Sequence, residues 1–239
     1  MTQDNFRSGG TGVPVSVSPP AKAGTHPAVI VAYGTRGLNN PFGTAILNFA
    51  RDLANAGYVA LIPHYLERTG TPAAKDERGD FAVMDAFEGY RDAWIETLGD
   101  CLSYASNRAD VVSSRIGVVG FSMGGHLMLR LAKADHKADV NAVVTFFAPI
   151  TQPQPPFNGI GDGVAKLPPI QIHHGEKDSI VDPRQSHEFT KVLKSAGKVE
   201  GRDYELYSYP GQGHGFDGPD VGVSTRRTIS FLNLHTLAK

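Results

Sequence analysis

The segment GFSMG, residues 120–124, places Ser122 between two glycines directly after an apolar run. This Gly-x-Ser-x-Gly spacing is typical of a nucleophile elbow, a strained turn that holds a serine hydroxyl clear of the backbone. Residues 116–119 predict a strand before the serine and residues 126–135 predict a helix after it, which is the context that an elbow requires. The spacing alone also fits an ordinary Ser/Gly turn. Whether the chain offers a base and an acid for Ser122 distinguishes the two interpretations.

A serine nucleophile needs a base, and the base needs a carboxylate that orients it. After an elbow of this kind the acid comes next along the chain and the histidine last. Asp178 follows a predicted strand at 169–173, and His214 stands in the loop GQGHGF after a predicted strand at 204–209. We therefore expect Ser122 to be the nucleophile, His214 the general base and then acid, and Asp178 the orienting carboxylate.

The oxyanion of an acyl-transfer reaction needs hydrogen-bond donors fixed in advance. The backbone N–H of Met123, directly after the serine, is the first expected donor. The second is expected from the loop YGTRGL, residues 33–38, which follows a predicted strand at 28–32. We expect the N–H of Thr35 to serve, with Arg36 as the alternative, although the loop could also be a glycine-rich turn without a donor role.

Other residues that could do chemistry receive mainly structural interpretations. Asp182 is the alternative acid, but it could instead cap the helix that follows it. His126 falls on the helix after the elbow and is expected to be structural, whereas His173 or His174, at a strand end, could line the site. No histidine or cysteine spacing fits a metal site. Cys101, on the apolar face of a helix, is expected to be buried and inert.

Strands alternate with helices along almost the whole chain, which favours βαβ units and an α/β fold. The sheet is expected to be mostly parallel, with helices on both faces and functional residues at the carboxyl ends of the strands. The predicted strands are residues 28–32, 58–62, 116–119, 142–147, 169–173 and 204–209, with an edge strand at 13–17. The predicted helices are residues 42–55, 87–105, 126–135, 183–196 and 223–237, and long loops are expected at 66–82 and 148–169.

Length and composition bound the class of protein. The 239 residues, 41% hydrophobic and 20% charged, fit one domain over 1–239, with 1–25 irregular or an edge strand. A net charge of −1 without a basic block argues against nucleic acid or a membrane surface as partner. A single cysteine, no signal-peptide pattern and no apolar run of about 18 residues make the cytoplasm the expected compartment.

Five segments resemble the α/β-hydrolase superfamily and, within it, the dienelactone hydrolase family. They are AVIVAYGTRGLN, GYVALIPHYLER, RIGVVGFSMGGHLMLRLA, PIQIHHGEKDSIV and YPGQGHGF. The resemblance implies an α/β-hydrolase fold without a large cap domain and without a cofactor. The type enzyme of the family has a cysteine nucleophile and a glutamate in the first oxyanion loop, where this chain has Ser122 and Gly34. The family also holds substrate carboxylates with arginines, and Arg36 and Arg78 lie near such positions.

The sequence therefore predicts a serine hydrolase that cleaves small carboxylic esters or lactones through an acyl-enzyme, as a monomer or homodimer. Tyr65, which follows a predicted strand, is a further candidate for substrate contact. Two alternatives stay open. One is a prolyl-oligopeptidase-like peptidase, whose catalytic domain the segments GFSMGG, GEKDSIV and GQGHGF also resemble. The other is a binding protein on a hydrolase scaffold, although such proteins often lose a triad residue.

Overall fold

Eight strands form one sheet in the computed structural model, which describes residues 1–133, 140–150, 157, 159–160 and 163–237. The strands are β1 (Thr2–Ser8), β2 (Thr11–Ser18), β3 (His26–Ala32), β4 (Val59–Pro63), β5 (Val111–Phe121), β6 (Ala142–Phe146), β7 (Ile170–Gly175) and β8 (Tyr204–Tyr209). The helices are α1 (Phe42–Asn55), α2 (Glu77–Ser106), α3 (Met123–Lys133), α4 (Arg184–Ser195) and α5 (Gly218–Thr236), with short 3-10 helices at Tyr65–Thr69 and Val164–Lys166.

The order of strands in the sheet is β1-β2-β4-β3-β5-β6-β7-β8. The first two pairings, β1 with β2 and β2 with β4, are antiparallel, and every pairing from β4 to β8 is parallel. The carboxyl ends of the parallel strands therefore meet at one edge, where the following loops converge. The expected α/β architecture with a mostly parallel sheet is confirmed.

Two glycines of β5 show how closely the helical layers approach the sheet. Gly117 and Gly120 are three residues apart in the strand and so face opposite sides. A Cβ built on Gly117 would lie 2.6 Å from the side chain of Leu232 in α5, and one on Gly120 would lie 2.4 Å from the carbonyl oxygen of Gly124 in α3. Helix α5, with α1 beside it, thus covers one face, and α3, with α2 beside it, covers the other.

The N-terminal region departs from the expectation of an edge strand at 13–17. Strand β2 does form there, but it lies inside the sheet because β1 pairs along its outer side. The sequence pattern misses β1 since only Phe6 and Ser8 of its residues are buried. An edge strand that is mostly exposed carries too few apolar residues to show a period of two.

Helix α2 begins at Glu77, ten residues before the start predicted at 87. Asp76 caps this helix by accepting a hydrogen bond from the N–H of Gly79 at 2.9 Å. The first turns are exposed, with Phe81 70% accessible, so they lack the apolar spacing that marks a helix in sequence. The loop expected at 66–82 is correspondingly shorter.

The other elements lie where the sequence predicts them, with shifts at their ends. The largest are in β5, which begins at Val111 rather than 116, and in α5, which begins at Gly218 rather than 223. The last residues of the helix predicted at 126–135, and much of the loop predicted at 148–169, lie outside the described residues.

Gly120→Ala is expected to destabilise the protein, because the added Cβ would meet the carbonyl oxygen of Gly124 at 2.4 Å. Overpacking of this kind costs about 1–3 kcal/mol. The matched control is Gly89→Ala on the exposed side of α2, where an added Cβ meets nothing within 4 Å. That control is expected to gain about 0.5–1 kcal/mol. Urea unfolding measures both, and similar effects of the two variants would contradict this account.

Candidate active site

Ser122 occupies the turn between β5 and α3. Its φ of 52° lies in the left-handed region, which costs a residue other than glycine on the order of 1 kcal/mol. Backbone hydrogen bonds fix the turn: the Ser122 N–H donates to the Phe146 carbonyl at 2.9 Å, and the Ser122 carbonyl accepts from the Gly125 N–H at 2.9 Å. The hydroxyl therefore stands at the carboxyl edge of the sheet, between a strand and a helix as the motif predicts.

His214 lies within hydrogen-bond distance of both other candidate triad residues. Its Nε2 is 3.0 Å from Ser122 Oγ, and its Nδ1 is 2.8 Å from Asp178 Oδ2. Because an ionised carboxylate can only accept, Nδ1 carries the hydrogen and Nε2 is left to accept from the serine hydroxyl. The ring of Phe147 packs against the imidazole, with centroids 4.7 Å apart. The fold thus brings together three residues from the ends of three different strands.

The carboxylate of Asp178 is fully buried and accepts hydrogen bonds on both oxygens. Backbone N–H groups of Ile180 and Val181 donate to Oδ1 at 2.8 and 2.9 Å. His214 Nδ1 and His174 Nε2 lie 2.8 and 3.2 Å from Oδ2. Of the two histidines at the end of β7, His174 is therefore the one that reaches the site, through the acid and not through Ser122.

Burial by itself raises the pKa of Asp178, because it disfavours the charged form. The hydrogen bonds from His174 and His214, the charge of His214 and the N–H of Val181 lower the pKa by more. The net pKa lies well below the ordinary value of 3.8. The carboxylate is therefore ionised at neutral pH.

The turn that carries Asp178 and the loop that carries His214 are held against each other. Gly175 permits the close approach, since a Cβ at that position would lie 2.3 Å from the carbonyl oxygen of Gln212. The same carbonyl accepts from the N–H of Lys177 at 2.9 Å. The side chain of Gln212 ties the loop to the start of α5 by accepting from the N–H of Asp217 at 2.9 Å.

The loop after β3 lies directly against the nucleophile. A Cβ built on Gly34 would be 3.1 Å from the Cβ of Ser122, and one built on Gly124 would be 2.4 Å from the carbonyl oxygen of Tyr33. Thr35 is the next residue of this loop. Met123 is the first residue of α3, where helical N–H groups have no partner within the helix. Both residues predicted to supply oxyanion donors thus stand next to residues of the elbow.

Asp80, in the first turn of α2, fixes this loop from outside. Its Oδ1 accepts from the Thr35 hydroxyl at 2.5 Å. Its Oδ2 accepts from Nε and Nη2 of Arg36 at 2.9 and 2.7 Å. Asp80 is not among the residues predicted from the sequence, because residues 66–82 were expected to be a loop. The Asp76 cap followed by acidic residues is the signal that could have revealed the helix start.

The three candidates for substrate contact have different surroundings. Arg36 is paired with Asp80, with a quarter of each side chain exposed. Arg78 is exposed on the first turn of α2. Tyr65 is fully buried and its hydroxyl donates to the carbonyl oxygen of Tyr33 at 2.8 Å. The side chain of Tyr65 thus has no exposed surface in this structure, and its packing supports the loop after β3 from beneath.

Several residues considered from the sequence have structural surroundings. Asp182 lies just before α4 and accepts from the N–H of Arg184 at 2.9 Å and from its guanidinium, whereas the carboxylate bonded to His214 is that of Asp178. His126 is buried, with Nδ1 2.8 Å from the carbonyl oxygen of Pro149, and burial lowers its pKa to about 3. Cys101 is fully buried, which raises the pKa of its thiol.

A second Ser-His-acid arrangement lies at β2 and the end of β4. His64 Nε2 is 3.0 Å from Ser16 Oγ, and His64 Nδ1 is 3.1 Å from Glu67 Oε1. Ser16 pairs with Gln3 on one side and Ile62 on the other, so the strand around it is hydrogen-bonded at both edges. No helix starts at this serine, and its own strand offers no free donors for an oxyanion. The backbone around Ser122, not the side-chain distances alone, distinguishes the two sites.

His173, the other histidine at the end of β7, forms hydrogen bonds inside the protein. Its Nδ1 is 2.8 Å from the hydroxyl of Tyr209 and its Nε2 is 2.8 Å from Oε1 of Gln171. Across the part of the chain that the structure describes, no group of three or more His, Cys, Asp or Glu side chains could hold a metal ion. Within the same residues, every helix is too short or too polar to cross a membrane.

Comparison with known proteins reveals relatives at the level of sequence. The profile of the dienelactone hydrolase family matches residues 13–227. A Bradyrhizobium protein named as a probable 2-oxo-3-(5-oxofuran-2-ylidene)propanoate lactonase is 29% identical over 205 residues. The aligned region covers 82% of this chain and 76% of that protein.

Solved structures share the fold at low sequence identity. A candidate dienelactone hydrolase from Klebsiella pneumoniae has a TM-score of 0.79 at 20% identity, covering 97% of this chain and 98% of the other. A dienelactone hydrolase-like promiscuous phosphotriesterase from metagenomic libraries has a TM-score of 0.78 at 18% identity, covering 98% of both chains. A candidate dipeptidyl aminopeptidase IV from Bacteroides ovatus has a TM-score of 0.74 at 16% identity, but this chain spans 35% of its length. These likenesses confirm the α/β-hydrolase fold.

The family profile runs from β2 into α5 and so spans the elbow, the acid turn and the histidine loop. The strand order and the helical layers agree with the same assignment. The chain therefore belongs to the dienelactone hydrolase family, whose chemistry is the hydrolysis of ester and lactone bonds.

Proposed function

We propose that this protein hydrolyses small carboxylic esters or lactones through a Ser122–His214–Asp178 triad and a covalent acyl-enzyme, as one domain over residues 1–239. The observation that carries the proposal is the unbroken hydrogen-bond relay from Ser122 Oγ through His214 to Asp178, with distances of 3.0 and 2.8 Å. Such a relay activates a serine by placing a base on its hydroxyl and a carboxylate behind the base. The Bradyrhizobium relative, named as a lactonase, supports lactones as well as open-chain esters.

In the first step, Ser122 Oγ attacks the carbonyl carbon while Nε2 of His214 takes the hydroxyl proton. The negative charge of Asp178 stabilises the imidazolium that forms. The carbonyl oxygen becomes an oxyanion, which the N–H groups of Met123 and Thr35 are proposed to bind. Each such donor contributes about 2.7–4 kcal/mol to transition-state stabilisation. The imidazolium then protonates the leaving alkoxide, which departs as an alcohol or, from a lactone, stays attached to the acyl group.

In the second step, water replaces the alcohol. His214 removes a proton from water as the oxygen attacks the acyl carbon, and the same donors bind the second oxyanion. Collapse of this intermediate returns the proton to Ser122 Oγ and releases the carboxylic acid. In each step His214 acts first as a base and then as an acid, so one preorganised geometry serves both.

His174 is proposed to act as a positioning residue for this relay. Its Nε2 lies 3.0 Å from the carbonyl oxygen of Val181, which can only accept, so Nε2 carries a hydrogen. The same nitrogen faces Oδ2 of Asp178 at 3.2 Å, and Nδ1 lies 2.6 Å from the hydroxyl of Ser186. His174 thereby restrains the acid at Oδ2, the same oxygen that His214 contacts.

Ser122→Ala is expected to lower kcat for p-nitrophenyl acetate and butyrate by at least about 1,000-fold, because it removes the nucleophile. It should also abolish labelling by a fluorophosphonate. The matched control is Ser16→Ala, which removes the serine of the other Ser-His-acid arrangement and is expected to keep both activities. Stoichiometric labelling followed by peptide mapping identifies the modified serine. Labelling that persists in Ser122→Ala and is lost in Ser16→Ala would reverse the assignment.

Asp178→Asn is expected to lower kcat by about 10³–10⁴-fold, because an amide favours the wrong imidazole tautomer and cannot stabilise the imidazolium. Asp182→Asn, which neutralises the alternative acid, is expected to change kcat by less than about threefold. Steady-state kinetics on p-nitrophenyl butyrate compare the two variants. A larger loss in Asp182→Asn than in Asp178→Asn would assign the orienting role to Asp182.

The lowered pKa of Asp178 is expected to make the free energy of unfolding depend on pH. A carboxyl group whose pKa is lower in the folded than in the unfolded protein stabilises the fold fully above its unfolded pKa, near 3.8. That contribution is lost as the pH falls through the folded pKa. The stability of the wild type relative to Asp178→Asn is therefore expected to be constant from pH 7 to about 5 and to decrease below about 4. Urea unfolding at each pH tests this, and a relative stability that rises on acidification would contradict it.

A further inference from the structure

The pairing of Arg36 with Asp80 bears on which substrates the site accepts. Both nitrogens of Arg36 that Asp80 engages, Nε and Nη2, donate to the same oxygen, Oδ2. The other oxygen of Asp80 accepts from the Thr35 hydroxyl. The carboxylate thus occupies the Nε–Nη2 edge of the guanidinium, one of the edges at which a substrate carboxylate would bind.

Arg36 belongs to the loop that packs against the nucleophile. It is two residues beyond Gly34, which packs against Ser122. Its guanidinium lies over the ring of Phe42, 5.6 Å from the ring centroid. A Cβ built on Gly215 would lie 3.1 Å from that ring, so Phe42 also borders the loop that carries His214. A free guanidinium here would face the acyl or alcohol part of a bound ester.

The charges around Arg36 disfavour a further anion. Asp76, Glu77 and Asp80 all act electrostatically on Arg36, and all three belong to the cap and first turn of α2. A helix N-terminus favours negatively charged side chains, which is consistent with three carboxylates at the start of α2. Asp80 acts most strongly of the three, because it alone is hydrogen-bonded to the guanidinium, so a substrate carboxylate that approached Arg36 would have to compete with it.

We infer that Asp80 is a specificity-determining residue. By pairing with Arg36, it makes the site favour substrates with uncharged acyl groups over substrates whose acyl group carries a carboxylate. The inference rests on the proposed ester hydrolysis at Ser122. It reverses the role expected for Arg36 from the family resemblance, in which arginines hold a substrate carboxylate. It also separates this chain from the Bradyrhizobium relative, whose named substrate is a propanoate.

A pair of esters of equal length tests the inference: p-nitrophenyl hexanoate, which is neutral, and the mono-p-nitrophenyl ester of adipic acid, which ends in a carboxylate. The wild type is expected to favour the neutral ester by at least about tenfold in kcat/KM. Asp80→Asn keeps an acceptor for Thr35 but removes the charge. It is expected to raise the ratio of charged to neutral kcat/KM about tenfold, mainly through KM of the charged ester. Using the ratio within each variant cancels any general effect on catalysis.

Two controls separate the pairing from a general change of charge. Glu77→Gln removes an exposed carboxylate from the same turn and is expected to change the ratio by less than about twofold, because exposed charges are screened. In an Arg36→Gln background, Asp80→Asn is expected to give no gain, since no guanidinium is left to release. A wild type that prefers the charged ester, or a ratio unaffected by Asp80→Asn, would overturn the inference.

A binding measurement keeps the inference separate from the proposed function. Monomethyl adipate, a monoanion, is titrated into Ser122→Ala and into Ser122→Ala with Asp80→Asn, followed by NMR. The second protein is expected to bind it about tenfold more tightly. If the wild type cleaves neither ester, the proposed hydrolysis fails, and this titration still decides: equal binding by the two proteins would overturn the role of Asp80.

Discussion

The left-handed turn at Ser122 is the constraint on which the rest of the site depends. A residue with a side chain accepts this conformation only where its surroundings enforce it. Here β5 ends in hydrogen bonds to its neighbours, and α3 starts at once, with glycines at the two positions where the strand and helix come closest. The other groups of the site reach the hydroxyl from neighbouring strand ends. Their distances to the hydroxyl therefore depend on the position of this turn.

Two carboxylates, those of Asp178 and Asp80, are held near the serine by different sets of hydrogen-bond donors. Asp178 is fully buried and its charge is compensated by backbone N–H groups and two imidazoles. Asp80 is partly exposed and is held by a helix N-terminus, a hydroxyl and a guanidinium. In the proposed mechanism the first orients the base, and the second fixes the loop from which an oxyanion donor is expected. An ionised group in each place costs desolvation, and the donors around it offset that cost.

The sequence was sufficient for those parts of the molecule whose signal is local. The elbow, the order of strands and helices and the residues Ser122, Asp178 and His214 follow from glycine spacing, apolar runs and chain order, and the structure brings these three side chains together. Contacts that join distant segments were not predictable. Asp80 and Thr35 are 45 positions apart in the sequence, and no pattern in either segment predicts that they form a hydrogen bond. Exposed elements such as β1 and the start of α2 also escaped, because helix and strand periodicity can be seen only where one face is buried.

For Tyr65, a position just after a predicted strand suggested contact with substrate. The sequence shows that a residue follows a strand but not which way its side chain turns. In the structure the ring packs under Tyr33, with centroids 4.7 Å apart, and is removed from solvent. An aromatic residue at this edge of the sheet can therefore support the site without touching a ligand.

Gly34 lets the loop after β3 approach the serine closely, and this limits what can stand beside the nucleophile. A Cβ there would lie 3.1 Å from Ser122 Cβ and 3.6 Å from Oγ, so any side chain at that position would enter the immediate surroundings of the hydroxyl. The type enzyme of the family combines a cysteine nucleophile with a glutamate at the matching place. Glycine in this chain instead leaves the space next to Ser122 Oγ without a second ionisable group, so that, among the residues that the structure describes, the proton on the serine hydroxyl has one neighbouring base, the imidazole of His214.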